Sequence, residues 1–447
     1  MKERGQQNCI HRNGEVITIA KKNPVQPGGL ARRLGFWEVT LSGVGIILGA
    51  GIYALIGAAA GSAGNAVWLS FGAAALVAFF TALSYMELAS MMPAVGAEYE
   101  YCARAVGKRV AMVIGWLIIF SGILGAATVS LGFAGYLGSL LSVPLLPAAF
   151  ALLAALTGLL LAGVKESALV AVAFTLVEVG GLLLVIIAGI PCLGKVDYLE
   201  MPSGIPGVLS AAALVFFSYQ GFEEMVKFSE ETRRPERTIP LALIVALGIS
   251  TALYMLVCIS AVSVTGWEVL SSSPAPFAAV ASTAWGTDAS FLISVIALFA
   301  TANTALMMLF ASSRISYGMA RAGSLPPFLA FVHPERKTPW ITSILVGAGA
   351  LLFVSVENIA FVANVSNFTL FVTFIVVNLS VIVLRFREPR ARRPFSVPWS
   401  VGRFPVFPLL GMASCGLLLI QLEPAVLGIG ALLTGTGIVV AVVSGRK

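Results

Sequence analysis

A glycine-rich stretch interrupts the first long apolar segment of the chain. Its glycines are Gly43, Gly45, Gly49 and Gly51. Glycine in a helix interior costs about 1 kcal/mol relative to alanine, so four of them do not suit a helix that only crosses lipid. An interruption at Gly49-Ala50-Gly51 would free backbone N–H and C=O groups, which lipid cannot satisfy. These residues predict an unwound segment that binds a small polar solute. Close helix packing is the alternative, which Gly57 and Gly61 favour.

A second interruption lies in a later apolar segment. There, two phenylalanines are followed by polar and flexible residues, in the order Phe216, Phe217, Ser218, Tyr219, Gln220 and Gly221. Five crossings separate the two interrupted segments, so we expect them to run in opposite directions. Broken helices at matching positions of two inverted halves mark the midplane site of a secondary transporter. The two interruptions together therefore predict transport of a small solute by alternating access.

Glu178 lies in the middle of the fifth apolar segment, with apolar residues on both sides. Placing a carboxylate inside a membrane costs free energy, so such residues mark functional sites. Burial also favours the neutral form of the carboxyl. We predict that Glu178 binds and releases a coupling proton, so that uptake depends on a pH gradient and not on sodium. Two alternatives stay open. One is a permanently protonated carboxyl bonded to a neighbouring helix, and the other is sodium coordination together with carbonyls of the first segment.

Two further groups of polar residues lie in apolar segments. Thr301, Asn303 and Thr304 interrupt the eighth segment. Their side chains either line a cation site beside the first segment or bond to their own helix backbone. Glu87 lies near the inner end of the second segment, where we expect it to pair with loop arginines.

The composition identifies the class of protein. The chain has 447 residues, of which 58% are hydrophobic and 11% are charged, whereas soluble domains carry about 25% charge. We therefore expect a polytopic protein in a lipid bilayer. The net charge of +7 comes from basic residues at the ends of apolar segments, so it does not indicate nucleic-acid binding. The five cysteines lack CxxC spacing and neither histidine lies in an apolar segment. We expect no disulfide framework, no metal site and no cofactor.

Twelve apolar segments are candidate membrane spans. They cover residues 36–61, 66–92, 110–131, 147–164, 168–190, 208–226, 239–262, 291–312, 340–356, 359–384, 404–420 and 425–443. The predicted fold is all-α, with residues 36–190 and 206–384 as a five-plus-five inverted repeat whose first and sixth helices are discontinuous. Residues 404–443 add two peripheral helices. Residues 1–35 form a tail without a signal peptide, which we expect to be disordered.

Successive loops differ in charge, because the lysines and arginines are concentrated in every second loop. Those on the side of the N-terminus carry clusters such as Arg104 with Lys108, and Arg233 with Arg234, whereas the opposite loops contain Lys195 and otherwise acidic residues. Positively charged loops face the cytoplasm. The pattern predicts a plasma-membrane protein with both termini in the cytoplasm.

Other classes of function fit the sequence less well. An intramembrane protease needs paired aspartates, a Ser–His pair or a His-Glu-x-x-His motif, and the apolar segments contain neither aspartate nor histidine. We therefore expect no enzyme. A channel needs an oligomeric ring or repeated polar stripes, which the sequence does not display. A polyamine or organic-cation transporter needs several acidic residues in its cavity, and Glu178 and Glu223 are the candidates for that.

Several motifs resemble those of the amino acid–polyamine–organocation (APC) superfamily of transporters. They cover residues 44–53, 84–93, 99–101, 163–168, 217–223, 230–240 and 393–398. Two positions depart from the family pattern, because Gly96-Ala97 replaces a pair of glycines and Ala322 replaces an acidic residue. The resemblance implies a LeuT-like fold and an amino acid permease, with an amino acid exchanger as an alternative.

The resemblance also implies a substrate site at the first interruption. Backbone N–H groups of Gly49, Ala50 and Gly51 are expected to receive the substrate carboxylate. The positive dipole end of a helix that begins there agrees with this role. The carbonyl of Ile47 is expected to receive the α-amino group.

The second interruption contributes the other half of the implied site. Phe217, Ser218, Tyr219 and Gly221 are expected to contact the amino group or to shape the cavity. Phe217 matches the family's aromatic gate, for which core packing is the alternative. Glu223 follows Gly221 in the family motif and is expected to act in gating.

Overall fold

The computed structural model describes residues 11–12, 15–16, 34–92, 97–163 and 168–444. Most of the predicted tail at residues 1–35 lies outside the described residues, as do Gly96 and most of the motif at residues 163–168. The described part is almost entirely helical. Its short strands form two antiparallel pairs, namely β1 (His11–Arg12) with β2 (Glu15–Val16) and β3 (Ser400–Val401) with β4 (Phe404–Pro405).

Fifteen α-helices follow one another in the described residues. They are α1 (Phe36–Ile47), α2 (Gly51–Ala63), α3 (Val67–Met91), α4 (Ala97–Ala105), α5 (Lys108–Leu141), α6 (Leu145–Ala162), α7 (Ala168–Gly189), α8 (Gly204–Val215), α9 (Pro235–Ser272), α10 (Pro276–Trp285), α11 (Thr287–Arg321), α12 (Trp340–Val354), α13 (Ile359–Arg387), α14 (Val406–Leu419) and α15 (Pro424–Ser444). Short 3-10 helices occupy Gly64–Ala66, Ile190–Cys192, Phe216–Tyr219, Phe222–Glu230 and Pro327–Ala330.

The apolar helices identify a multi-pass membrane protein. Within the described ranges, nine helical stretches are long and apolar enough to cross a bilayer, and the stretch Gly51–Met91 counts α2 and α3 together. Three shorter apolar helices, α1, α12 and α14, accompany them. The number of twelve crossings stays a prediction.

Several helices differ from the predicted spans. The amphipathic helix α4 and the short helix α10 were not predicted, because a search for long apolar segments does not detect them. Helix α5 continues to Leu141, ten residues beyond the predicted end, and this extension contains three glycines. Those glycines allow close packing: a Cβ on Gly132 would lie 2.8 Å from the Cβ of Ala54.

Tight packing also explains the later glycines of α2. A Cβ on Gly57 would lie 2.6 Å from the carbonyl oxygen of Leu270, and one on Gly61 would lie 3.2 Å from the Cβ of Ser271. These contacts confirm the interpretation of Gly57 and Gly61 as packing residues. They bring the end of α9 against α2.

A buried charge cluster fastens one end of α3. The Glu87 side chain is 1% exposed and forms ion pairs with Arg385 (2.6 Å) and Arg393 (3.1 Å). Its carboxylate also accepts a hydrogen bond from the backbone N–H of Val397 at 2.8 Å. The predicted pairing of Glu87 with arginines is confirmed. Removing one member of such a buried cluster leaves an uncompensated charge, so Glu87 has a structural role.

Candidate functional site

The first long apolar segment leaves the α-helix where the interruption is predicted. Helix α1 ends at Ile47, and α2 begins at Gly51. The residues between them, Leu48, Gly49 and Ala50, form the first break. The N–H groups at the start of α2 have no partner within their own helix, so the first break presents hydrogen-bond donors inside the protein.

The second break covers residues 216–221 and has a different backbone. Helix α8 ends at Val215, and the 3-10 helix Phe216–Tyr219 continues the chain. Gly221 then adopts φ +117°, and a second 3-10 helix, Phe222–Glu230, follows. Glycine adopts positive φ without the steric cost that a Cβ imposes. Gly221 therefore permits the change of direction that ends the second break.

The two breaks touch each other. Helix α1 packs beside the 3-10 helix Phe222–Glu230 and α2 packs beside α8, so the two interrupted helices are antiparallel. A Cβ on Gly51 would lie 2.8 Å from both the Cα and the Oγ of Ser218. A Cβ on Gly221 would lie 2.6 Å from the Cγ2 of Ile46. Glycine at each break therefore allows the opposite break to approach.

Tyr254 of α9 connects the two breaks. Its hydroxyl lies 2.5 Å from the carbonyl oxygen of Ile47 and 2.9 Å from that of Ser218. A hydroxyl carries one proton, so it donates fully to one of these carbonyls at a time. Sequence reasoning missed Tyr254, although a lone tyrosine in the apolar part of α9 was an available signal.

The two threonines of the eighth apolar segment form different hydrogen bonds. Thr301 donates to the carbonyl of Ala297 at 2.7 Å, within its own helix. Thr304 instead accepts a hydrogen bond from the backbone N–H of Ala50 at 3.1 Å, between α11 and the first break. The two threonines therefore differ: one bonds to its own helix and the other supports the break.

Glu178 is buried between α7 and its neighbours. Its residue is 2% exposed, and its carboxyl interacts with the side chain of Asn303. The Oε1 atom has no hydrogen-bond partner in the described part of the chain. The hydroxyl of Tyr53 donates to the backbone carbonyl of Glu178 at 2.7 Å. Helix α11 therefore contacts Glu178 through Asn303 and the first break through the next residue, Thr304.

The side chains of the second break are buried among other helices. Phe217 is 2% exposed, and its ring lies 3.6 Å from where a Cβ on Gly125 of α5 would stand. The hydroxyl of Tyr219 donates to the carbonyl of Phe71 at 3.0 Å. The amide of Gln220 donates to Ser121 at 2.8 Å. These contacts connect the second break to α3 and α5.

The remaining predicted site residues also lie at the second break. The carboxylate of Glu223 accepts a hydrogen bond from the backbone N–H of Gly221 at 2.9 Å. Glu223 is buried and therefore braces the turn at Gly221 from inside the protein. The Oγ of Ser218 has no hydrogen-bond partner among the described residues. All the predicted substrate-site residues, from Ile47 to Gly221, are thus gathered around the contact between the breaks.

Comparison with known proteins identifies the family. Residues 34–443 match the family described as amino acid permease. The chain is 32% identical over 415 residues to the branched-chain amino acid permease BcaP of Bacillus subtilis, covering 88% of each chain. It is 33% identical over 414 residues to the methylthioribose transporter of the same organism, covering 86% of this chain and 87% of that one. It is 30% identical over 409 residues to the vacuolar cationic amino acid transporter 4 of Arabidopsis thaliana, covering 86% and 68%. The chain belongs to the amino acid permease family of APC membrane transporters.

Proposed function

We propose that the protein is a secondary transporter that carries amino acids across the plasma membrane by alternating access, coupled to protons. Family membership and relatives named for amino acid transport support this assignment. The proposal includes twelve crossings, a five-plus-five inverted repeat and cytoplasmic termini. The observation that carries it is the contact between two antiparallel helix breaks inside the protein.

The proposed substrate site binds both charged groups of a zwitterionic amino acid, the carboxylate and the ammonium group. The N–H groups at Gly49, Ala50 and Gly51 suit a carboxylate, because a helix N-terminus carries partial positive charge. The N–H of Ala50 donates to Thr304 in this structure, so a carboxylate would replace that partner. The carbonyls of Ile47 and Ser218 suit an ammonium group, because they lie at ends of helical segments that carry partial negative charge. In the structure the hydroxyl of Tyr254 contacts both carbonyls, which supports their common orientation toward one cation.

Phe217 supplies the proposed lid. Its buried ring lies beside Gly125, on the α5 side of the second break. Closure of an aromatic side chain over a bound solute excludes water and commits the solute to translocation. Glu223, which braces Gly221 two residues away, is proposed to control the movement of the same segment.

A short path connects the substrate site with the proposed proton site. The carboxyl of Glu178 interacts with the side chain of Asn303, and Thr304 next to it accepts a hydrogen bond from the N–H of Ala50. A change in the charge of Glu178 alters its interaction with α11 and can therefore shift the support of the first break. We propose that protonation of Glu178 accompanies substrate binding and that deprotonation accompanies release on the other side. The Oε1 of Glu178, which has no hydrogen-bond partner among the described residues, supports a group that exchanges protons.

The surroundings of Phe217 favour a neutral amino acid. Met308 of α11 reaches Gly125 beside the Phe217 ring, so the two side chains that meet at Gly125 are apolar. A cationic side chain would need a carboxylate in their place, because an unpaired buried charge is expensive. Relatives named for branched-chain amino acids, cationic amino acids and methylthioribose define the alternatives to be compared directly. Polyamine transport and amino acid exchange are tested in the same assays.

Purified protein in liposomes tests the proposal. Its thermal stability should rise with neutral amino acids and not with polyamines, since a ligand that binds the native state stabilises it. Counterflow of the labelled amino acid that binds should occur in liposomes loaded with unlabelled substrate and without an ion gradient, as expected for a carrier and not for a channel. Net accumulation into liposomes without internal substrate should require an inward proton gradient and no sodium. A sodium requirement, or net accumulation into such liposomes without any ion gradient, would contradict proton coupling.

A further inference from the structure

A groove lined by arginines opens where α13 ends and α14 begins. Its lining residues are Arg104, Arg387, Glu388, Pro389, Arg390, Ala391 and Arg403, and its open volume is about 790 Å³. Four arginines face one glutamate there, which leaves three uncompensated positive charges. We call this feature the arginine groove. It lies outside the proposed substrate site.

One wall of the arginine groove is rigidly paired. Arg104 of α4 forms a bidentate ion pair with Glu388, with distances of 3.0 and 2.6 Å. The hydrogen bond from Arg104 lowers the pKa of the Glu388 carboxyl, so this pair stays charged at neutral pH. Arg387 donates to the backbone carbonyl of Ala105 at 2.9 Å. These bonds tie α4 to the end of α13 and hold the groove in shape.

Two other lining residues of the arginine groove offer free guanidinium groups. Arg390 and Arg403 are exposed, and neither forms a hydrogen bond or ion pair with another described residue. Arg403 lies in the turn between β3 and β4, whose pairing fixes its position. A planar guanidinium binds phosphate oxygens through two parallel N–H bonds. The two arginines are therefore available to an anion in the groove.

Large apolar side chains are exposed within a few residues of the groove's arginines along the chain. Trp399 is 74% exposed, Val401 is 77% exposed and Phe386 is 52% exposed. Trp399 stacks on Phe407, in the first turn of α14, with ring centroids 5.6 Å apart. Tryptophan is enriched at membrane interfaces, and both α13 and α14 are apolar helices that end or begin here. We therefore expect the groove to lie at the edge of the hydrocarbon region.

We propose that the arginine groove binds the headgroup phosphate of an anionic phospholipid from the adjacent leaflet. Arg390 and Arg403 hold the phosphate, while Trp399 and Val401 contact the start of the acyl chains. Basic residues near a membrane surface attract anionic lipids, and the apolar side chains add a contact that a free phosphate ion lacks.

The test uses the full chain in detergent micelles. Phosphatidylglycerol should raise the melting temperature of the wild-type protein, whereas equal concentrations of phosphatidylcholine or inorganic phosphate should not. The double variant Arg390→Ala/Arg403→Ala should lose at least about tenfold in apparent affinity for phosphatidylglycerol, the effect of about 1.4 kcal/mol. The matched control Arg237→Ala/Arg321→Ala removes the same charge from exposed positions elsewhere and should keep the wild-type response. Native mass spectrometry should show one lipid fewer on the groove variant.

Three outcomes would overturn the proposal. An equal response to inorganic phosphate would assign the groove to a soluble anion, and an unchanged response of the groove variant would remove the arginines from lipid binding. An equal loss in the control variant would show a diffuse charge effect. None of these readouts involves transport, so they do not depend on the proposed function.

Discussion

The two breaks present different chemistry to the space between them. The first consists of three residues with small or apolar side chains, and its polar groups are those of the backbone. The second is longer and carries aromatic and polar side chains, which extend to α3 and α5. The first break is supported from α11 through Thr304, whereas the second reaches other helices through its own side chains.

This difference suggests a division of roles. A site built from backbone groups recognises what all amino acids share, the carboxylate and the amino group. A site built from side chains recognises what differs among them and moves when the lid closes. We therefore expect changes at the first break to abolish transport of every substrate, and changes at the second to alter affinity and selectivity.

The largest expected effect comes from Gly51→Leu, which should abolish transport. Even a Cβ at this position lies 2.8 Å from Ser218, so a leucine must separate the breaks and fill the space for the carboxylate. Uptake into liposomes and the melting temperature are measured together. Gly248→Leu is the matched control, because nothing lies within 4 Å of a Cβ at that exposed glycine. Normal uptake by folded Gly51→Leu protein would make the first break a packing site.

The next effect comes from Glu178→Gln, which should retain exchange and lose accumulation driven by a pH gradient. Glutamine imitates the neutral carboxyl and can keep the interaction with Asn303, but it cannot carry a proton across. Exchange of labelled substrate and uptake under an imposed pH gradient are compared in one preparation. The exposed carboxylate variant Glu268→Gln should behave as wild type. Gradient-driven accumulation by Glu178→Gln protein would contradict the assignment.

A smaller effect is expected for Phe217→Ala at the second break. Full burial of a phenylalanine side chain contributes about 1.5–3 kcal/mol, so losing the lid should weaken substrate affinity roughly tenfold to a hundredfold. The weakening should differ among substrates, which binding titrations with several amino acids would reveal. Phe299→Ala removes a ring that is 52% exposed and serves as control. Unchanged substrate affinity and an unchanged exchange rate would mean that Phe217 only packs in the core.

The smallest effect is expected for Tyr254→Phe, which removes one hydroxyl between the breaks. A typical hydrogen bond contributes about 0.5–1.5 kcal/mol net, so affinity should fall about twofold to tenfold for all substrates alike. Titrations that include both neutral and cationic amino acids measure this. Tyr317→Phe, at the end of α11, is the control. A loss of affinity confined to one substrate would mean that the Tyr254 hydroxyl contacts the side chain of that substrate. Its role would then not depend on the backbone carbonyls of the two breaks.

Much of the fold was predictable from local sequence properties. Apolar segments of membrane-spanning length, the glycines that interrupt the first helix and the buried carboxylate at Glu178 are visible in a short window of residues. Helix propensity and hydropathy act over one or two turns, so they fix where a helix is favoured and where it stops. The same reasoning failed at α4 and at the outer turns of α5, because polarity and glycine content there conflict with packing.

The partners of these residues were decided by the tertiary structure alone. The hydroxyl of Tyr254 meets the carbonyl of Ile47 across 207 positions of the chain, and Thr304 meets Ala50 across 254. Hydropathy indicates that a helix is buried in the membrane. It does not indicate which helices are neighbours or how each helix is rotated about its axis. Those two quantities result from the simultaneous packing of all the helices. They determine that Asn303 interacts with Glu178 while Thr301, two residues earlier, bonds to its own helix.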